Sequence, residues 1–153
     1  MALNGSTVLK PEQITKCSEA IHNPEDARHF MRIKPIEGLA RVRFGDEVIA
    51  ESEAALRLLE VNKDFYDPTI YFPREDVSAH LAIRDQDSHC PIKGDALYFD
   101  LLNEDRNTIT EEIAWCYPEP VGFANEIKDH IAFYGRKVTI EEGPKGQTGE
   151  TEK

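Results

Sequence analysis

The stretch Leu39-Ala40-Arg41-Val42-Arg43-Phe44-Gly45-Asp46-Glu47-Val48-Ile49-Ala50 indicates the fold class, because it has the pattern of a β-hairpin. Its first half alternates between apolar and charged side chains, which is the period of a strand with one buried face. Gly45-Asp46 suits a tight turn, after which a second apolar segment returns. The stretch therefore predicts an antiparallel sheet.

The rest of the chain adds further short apolar segments that are separated by turn residues. Strands are predicted at residues 69–72, 80–83, 96–102, 108–117 and 137–141. In the fourth of these, alternation places Ile113, Trp115 and Tyr117 on one face of the strand, and Ala114 and Cys116 on the other. The pattern favours a mainly β (α+β) fold, a small antiparallel domain, over a βαβ nucleotide-binding fold.

Two or three short helices are expected beside these strands. They are predicted at residues 10–21, at residues 53–60, and around Phe123, Ile127 and Ile131, which repeat every four residues. In the second helix, Ser52 would cap the N-terminus while Ala55, Leu58 and Leu59 face inward.

The ends of the chain differ from its middle. Residues 29–35 (HFMRIKP) alternate weakly and are interpreted as an extended arm lying on the main domain. Residues 1–38 then form an N-terminal extension of helix plus arm, and residues 39–142 the β domain. Residues 143–153 (GPKGQTGETEK) contain no apolar side chain, which predicts a disordered tail.

Charge and cysteine content exclude several classes of function. The net charge of −11 argues against binding to duplex nucleic acid, which requires a basic face. The chain has no apolar run of about 20 residues that could cross a bilayer, and no signal peptide is recognisable, so a cytoplasmic location is expected. Three cysteines with no CxxC pair disfavour both a disulfide framework and a four-cysteine zinc site, so no cofactor is expected.

The segment His89-Cys90-Pro91-Ile92-Lys93-Gly94-Asp95 concentrates reactive groups. Pro91 favours a turn from Cys90 to Lys93, and Gly94 can take a positive φ. A nearby imidazolium or ammonium lowers the pKa of a thiol, so Cys90 is a candidate nucleophile with His89 and Lys93 beside it. The alternative, which the pattern favours, is that Cys90 is a small buried side chain at a tight turn, and in an extended strand His89 would point to the opposite face.

Other side chains extend this candidate site. Arg74 and Lys93 could bind an anionic ligand, or they could form ion pairs with Glu75, Asp76 or Asp95. Trp115, Tyr117 and Tyr71 could form a wall for a planar ligand, or they could simply be core. Asp95 could orient Lys93 or His89, or cap the turn. A metal site from His89, Cys90 and Cys116 matches no known ligand spacing.

Six blocks in this order resemble a known family: Arg41-Val-Arg-Phe-Gly45, Ser52 to Glu60, Tyr71-Phe-Pro-Arg-Glu-Asp-Val77, His89 to Asp95 with Tyr98-Phe99, Ala114-Trp115 with Tyr117-Pro118, and Ile131-Ala-Phe-Tyr134. The chain resembles, over residues 39–141, the family called domain of unknown function four-two-seven, which also carries a nucleotidyltransferase-like label. The resemblance implies a β-tent (Mss4-like) fold, whose relatives include zinc-knuckle proteins and methionine sulfoxide reductases. The chain contains neither a glycine-rich phosphate loop nor paired aspartates at the spacing of a nucleotidyl-transfer site.

Three functions are compatible with these observations. The first is a small-molecule-binding domain for an anionic or planar ligand, possibly an enzyme, with a pocket lined by Tyr71, Arg74, His89, Cys90, Lys93, Asp95, Trp115 and Tyr117. The second is a non-catalytic interaction module that forms homodimers through the N-terminal arm. The third is a thiol redox enzyme that uses Cys90. We expect the first.

Overall fold

A computed structural model describes residues 20–62 and 64–145, and within these ranges eleven antiparallel strands form two sheets. The strands are β1 (Ile21–Asn23), β2 (Asp26–Pro35), β3 (Leu39–Phe44), β4 (Glu47–Ser52), β5 (Leu56–Val61), β6 (Thr69–Pro73), β7 (His80–Cys90), β8 (Gly94–Leu102), β9 (Thr108–Cys116), β10 (His130–Phe133) and β11 (Thr139–Gly143). The predicted mainly β class is confirmed. In this part of the chain no helix is long and apolar enough to cross a membrane.

The two sheets differ in size. The large sheet has eight strands in the order β1-β2-β5-β6-β10-β9-β8-β7, and the small sheet has three in the order β11-β3-β4. The β3–β4 hairpin forms as the sequence predicts, with the turn residue Gly45 at φ 62°. This φ lies in the left-handed region, where glycine carries no steric penalty.

An apolar core fills the space between the two sheets. From the small sheet it receives Ala40, Val42 and Ile49, which are almost wholly buried. From the large sheet it receives Phe72 and Phe133, whose rings meet edge to face at 6.1 Å. We call the face of the large sheet that carries Phe72 and Phe133 the inter-sheet face. Burying such side chains supplies the main stabilising free energy of the fold.

The opposite face of the large sheet carries a second buried cluster. Its buried members are Met31, Leu58, Tyr71, Ile92, Ala96, Tyr117, Ala124, Ile127 and Ala132, with Cys90, Tyr98 and Trp115 partly buried against them. We call this the tyrosine face. The 3₁₀ segment Gly122–Ile127 contributes Ala124 and Ile127, so it packs over this cluster.

The large sheet is strongly curled about the tyrosine face. Lys93, in the turn before β8, contacts Glu60 of β5, although β9, β10 and β6 separate these two strands in the sheet order. That contact requires the sheet to bend back on itself. The curl follows the twist of antiparallel strands and the irregular registers in β7, β8 and β9.

The predicted helix at residues 53–60 is wrong, because this segment forms β5. In a helix Leu58 and Leu59 would both face inward, but Leu58 is buried and Leu59 is 44% exposed, as strand alternation requires. Pairing with β2 and β6 on its two sides outweighs the local helical preference. Ser52 accepts a hydrogen bond from the Ala54 amide at 2.8 Å and stabilises a turn instead of a helix.

The predicted helix around Phe123, Ile127 and Ile131 is also wrong. Gly122–Ile127 is a 3₁₀ segment with a non-helical kink at Ala124, and Ile131 lies in β10. In the described ranges the helical elements are this segment and the 3₁₀ turn Arg74–Asp76. The spacing of four that suggested a helix arises instead from a short turn followed by a strand.

The N-terminal and C-terminal predictions have mixed outcomes. The helix predicted at residues 10–21 lies outside the described residues except at its end, where Ile21 begins β1. Residues 29–35 are extended, as predicted, and belong to β2, which pairs with β5 in the large sheet. Gly143 ends β11, and most of the predicted tail, residues 146–153, lies outside the described residues.

One face assignment in β9 is wrong. Ile113 packs in the inter-sheet core together with Ala114, whereas Trp115 and Tyr117 contact the tyrosine face as predicted. The cause is a bulge, since the pairing register with β8 shifts between the Phe99 and Leu101 positions and Glu112 takes φ 51°. A bulge reverses the alternation for the residue beside it.

Candidate functional site

The turn from Cys90 to Lys93 forms as predicted. The Lys93 amide donates a hydrogen bond to the Cys90 carbonyl at 3.3 Å. Gly94 follows at φ 116°, and a Cβ there would lie 3.2 Å from the Glu119 carbonyl oxygen, so strain and crowding both favour glycine. The Val121 amide donates to the Lys93 carbonyl and holds the turn against the following segment.

The turn sends its reactive side chains to two sides of the sheet. His89 and Asp95 are exposed, and His89 Nδ1 lies 2.7 Å from Asp95 Oδ1. Cys90 and Ile92 pack into the tyrosine face instead. His89 and Cys90 therefore point to opposite faces. Of the two basic residues that Asp95 is expected to orient, Lys93 and His89, it contacts His89.

Lys93 is the charged residue at the centre of the site. It is 9% exposed, and its Nζ donates to Glu60 Oε1 at 2.5 Å. The same Nζ lies 5.7 Å from the centroid of the Tyr117 ring. The ammonium thus has a carboxylate on one side and an aromatic face on the other, both of which stabilise a positive charge.

His29 completes a hydrogen-bonded chain with Glu60. His29 Nε2 lies 2.8 Å from Glu60 Oε2, and His29 Nδ1 lies 3.2 Å from Asn23 Nδ2. Asn23 Oδ1 accepts from the Glu25 amide, so the Asn23 amide group turns its N–H toward the imidazole. Nδ1 is then the acceptor, and Nε2 carries the proton that His29 donates to Glu60.

This chain of contacts keeps Glu60 ionised. Burial of the carboxyl group acts to raise the pKa of Glu60, but the charge of Lys93 and the hydrogen bonds from Lys93 and His29 outweigh it. The net result is a pKa of Glu60 below its ordinary value. We call His29, Glu60 and Lys93 the buried trio.

The tyrosines beside the trio differ in their hydrogen bonding. Tyr71 is 1% exposed, and its hydroxyl accepts a hydrogen bond from Trp115 Nε1 at 3.2 Å. Tyr117 is 7% exposed, and its hydroxyl has no hydrogen-bond partner among the residues that the structure describes. Burial is the largest cause that raises the pKa of Tyr117. Tyr71 and Cys90 pack in the same cluster as Tyr117.

Arg74 and Cys116 lie elsewhere. Arg74 is exposed, and its Nη1 donates to the Val77 carbonyl at 3.4 Å. Burial raises the pKa of the Cys116 thiol to about 11, although the nearby charge of Arg74 acts to lower it. Cys116 packs against the inter-sheet core, whereas Cys90 packs on the tyrosine face. The thickness of the sheet therefore separates the two thiols.

Of the eight side chains expected to line a pocket, five meet on the tyrosine face: Tyr71, Cys90, Lys93, Trp115 and Tyr117. His89 and Asp95 form their own exposed pair, and the contacts of Arg74 within the described part of the chain do not reach Lys93. His89, Cys90 and Cys116 are not brought together. Across residues 20–62 and 64–145 no group of three His, Cys, Asp or Glu side chains is placed to hold a metal ion.

Sequence reasoning missed Glu60 and His29. The helix predicted at residues 53–60 gives Glu60 no defined neighbour. Strand alternation instead places Leu56, Leu58 and Glu60 on one face of β5. Glu60 is then a carboxylate next to two apolar side chains that pack in the second cluster. The alternation of His29 with Met31 and Ile33 in β2 gives the matching signal.

Comparison with known protein families supports the resemblance of the sequence blocks. The family model described as Domain of unknown function (DUF427) matches residues 32–143. The chain belongs to this family. The matched residues include Glu60, Lys93 and Tyr117, whereas His29, the third member of the buried trio, lies before the match. A search of curated proteins finds no match to the chain.

Proposed function

We propose that the chain is a small-molecule-binding domain whose ligand lies on the tyrosine face and presents a negatively charged oxygen to the Tyr117 hydroxyl. The observation that carries this proposal is the unpaired hydroxyl of a tyrosine that is 7% exposed. Among the described residues, the fully buried side-chain polar atom without a partner is His22 Nε2 and not the Tyr117 oxygen, so the Tyr117 hydroxyl is accessible from solvent. An accessible, unpaired hydroxyl on a mostly buried side chain is the kind of placed polar group that orients a ligand.

The donors around Tyr117 favour an anionic oxygen. The Tyr71 hydroxyl accepts from Trp115, and its own proton has no acceptor among the described residues. Two phenolic O–H groups and the Cys90 thiol are thus donors in one region. The raised pKa values of Tyr71 and Tyr117 keep both phenols protonated near neutral pH.

The buried trio places the Lys93 ammonium beside this region, with its charge balanced by the Glu60 carboxylate. Glu60 holds the Lys93 ammonium at 2.5 Å, and His29 holds the other carboxylate oxygen. This arrangement holds the Lys93 ammonium 5.7 Å from the centroid of the Tyr117 ring. Lys93 is then a positioning and electrostatic residue for the ligand oxygen, and Cys90 contacts the ligand through its thiol.

Two finer expectations form part of the same proposal. The curled sheet with a second sheet packed on one face supports the β-tent (Mss4-like) architecture that the family resemblance implies. The unpaired thiols of Cys90 and Cys116 support a reducing, cytoplasmic location.

The test compares two probes of equal size and opposite charge, butyrate and n-butylamine. Saturation-transfer NMR on the whole chain is expected to detect butyrate and to give a weaker signal for the amine. In Tyr117→Phe, which removes only the hydroxyl, we expect the affinity for butyrate to fall about tenfold, because one hydrogen bond to a charged group is lost.

Tyr66→Phe is the matched control, because Tyr66 is 50% exposed and lies outside the tyrosine face. It should bind butyrate as wild type does. The proposal fails if butyrate and the amine give equal signals, or if Tyr117→Phe binds butyrate as tightly as Tyr66→Phe.

A further inference from the structure

An open cavity is lined by Trp115 but not by Tyr71. Its volume is about 580 Å³, which is within the range of small-molecule sites. It lies between the start of β6, the residues that follow β10, and β11 of the small sheet. The lining residues that bear on recognition are Asp67, Thr69, Trp115, Tyr134 and Arg136.

Two aromatic rings form one wall of this cavity. The centroids of Trp115 and Tyr134 are 4.5 Å apart, with the ring planes at 49°. Both rings are held in place, since Trp115 Nε1 donates to Tyr71 and the Tyr134 hydroxyl donates to Glu112 Oε2 at 3.0 Å. A fixed pair of rings beside open space is suited to packing against a flat ligand.

Arg136 supplies a positive charge at the same wall. Its guanidinium carbon lies 5.7 Å from the Tyr134 ring centroid, and it has no carboxylate partner among the residues that the structure describes. The neighbouring Lys137 is committed, because its Nζ donates to the carbonyl oxygens of Glu111 and Glu112 at 2.8 and 2.9 Å. Arg136 is therefore the cation at this wall with donors to spare for a carboxylate.

We infer that this cavity binds a small planar aromatic acid, with its ring against Trp115 and Tyr134 and its carboxylate on Arg136. Asp67 also lines the cavity, so a ligand that carries an N–H donor in addition to its carboxylate is favoured over one that does not. This site is independent of the Tyr117 hydroxyl and goes beyond the proposed function.

The test uses 4-aminobenzoate, benzoate and cyclohexanecarboxylate as probes of the whole chain. Trp115 is the single tryptophan, so one indole N–H resonance reports on ligands that contact this side chain, and the variants below assign the side on which a ligand lies. We expect 4-aminobenzoate to shift that resonance in a saturable way. Benzoate should bind more weakly because it lacks the amine, and the non-planar cyclohexanecarboxylate should bind about fivefold more weakly than benzoate, because it cannot stack.

Three variants separate this site from the tyrosine face. Arg136→Gln should weaken 4-aminobenzoate binding about tenfold, while Arg106→Gln, in the β8–β9 turn, should leave it unchanged. Tyr117→Phe should also leave it unchanged. The inference is overturned if no probe shifts the resonance, if Arg136→Gln binds as wild type does, or if only Tyr117→Phe weakens binding, which would place the probe on the tyrosine face.

Discussion

The two faces of the large sheet are built from the same strands but from different chemistry. The buried side chains of the inter-sheet face are Ile, Leu, Val, Ala and Phe, with no ionisable group among them. The tyrosine face buries Tyr71 and Tyr117 and packs Cys90, Tyr98 and Trp115 beside them, with the buried Lys93 ammonium near the Tyr117 ring. A face that only stabilises the fold does not need these polar groups, because apolar side chains of similar size bury at lower cost.

Neighbouring residues in the sequence show this division most clearly. Tyr71 faces the second cluster and Phe72 the inter-sheet core, and Tyr117 and Cys116 divide in the same way. Strand alternation therefore separates a stabilising residue from a candidate functional residue within one dipeptide. The comparison predicts that substitutions on the two faces have different consequences.

The largest expected effect is on the inter-sheet face. Phe72 is fully buried, so Phe72→Ala should lower the free energy of unfolding by about 4 kcal/mol through lost burial and a residual cavity. Urea denaturation measures this change. Phe65→Ala is the control, since Phe65 is 79% exposed and its loss should cost less than about 0.5 kcal/mol. Equal losses in the two variants would contradict the assignment of the core.

The buried trio should give the next largest effect. Lys93→Met leaves the Glu60 carboxylate with His29 as its remaining partner, and the free energy of unfolding should fall by about 3 kcal/mol. This value is at the low end for a buried ion pair, because the two side chains are still 11% and 13% exposed. The double variant Glu60→Leu/Lys93→Met removes both charges and should recover most of this loss. A double variant as unstable as the sum of the single variants would argue that the two residues do not interact.

Acid should reduce the contribution of Glu60 to stability. Its pKa is lowered in the folded protein, so its stabilising effect is present above the ordinary glutamate pKa of about 4.3 and is lost as the pH falls through the lower folded value. The difference in unfolding free energy between wild type and Glu60→Gln should therefore narrow from pH 7 to pH 3.5. This measurement is a second test of the buried trio. A difference in unfolding free energy between wild type and Glu60→Gln that widens in acid would contradict the lowered pKa of Glu60.

Local pattern was enough to predict much of the fold. The β3–β4 hairpin, β6, β8 and β9 follow from alternation and turn residues, and the Cys90–Lys93 turn follows from Pro91 and Gly94. The helix at residues 53–60 was wrong because a period of 3.6 and a period of 2 cannot be separated over so few apolar residues, and pairing on both sides decided the outcome.

The site was less predictable than the fold. Lys93 and Glu60 are 33 residues apart in sequence, and His29 and Glu60 are 31 apart. Lys93 and Glu60 meet because the large sheet curls, and His29 and Glu60 meet because β2 pairs with β5. No local sequence pattern specifies the curl or this strand pairing. Tyr71, Cys90, Lys93, Trp115 and Tyr117 were identified, but the partners that fix Lys93 were not. Homodimer formation through the N-terminal arm stays a prediction.

The central claim is that the Tyr117 hydroxyl serves a ligand and not the fold, and the free energy of unfolding of Tyr117→Phe tests it most directly. We predict that the free energy of unfolding of this variant is no more than about 0.5 kcal/mol below that of wild type, because no hydrogen bond within the described residues is lost. Tyr134→Phe, which loses the bond to Glu112, should cost about 1–2 kcal/mol. A loss in Tyr117→Phe as large as that in Tyr134→Phe would contradict the account.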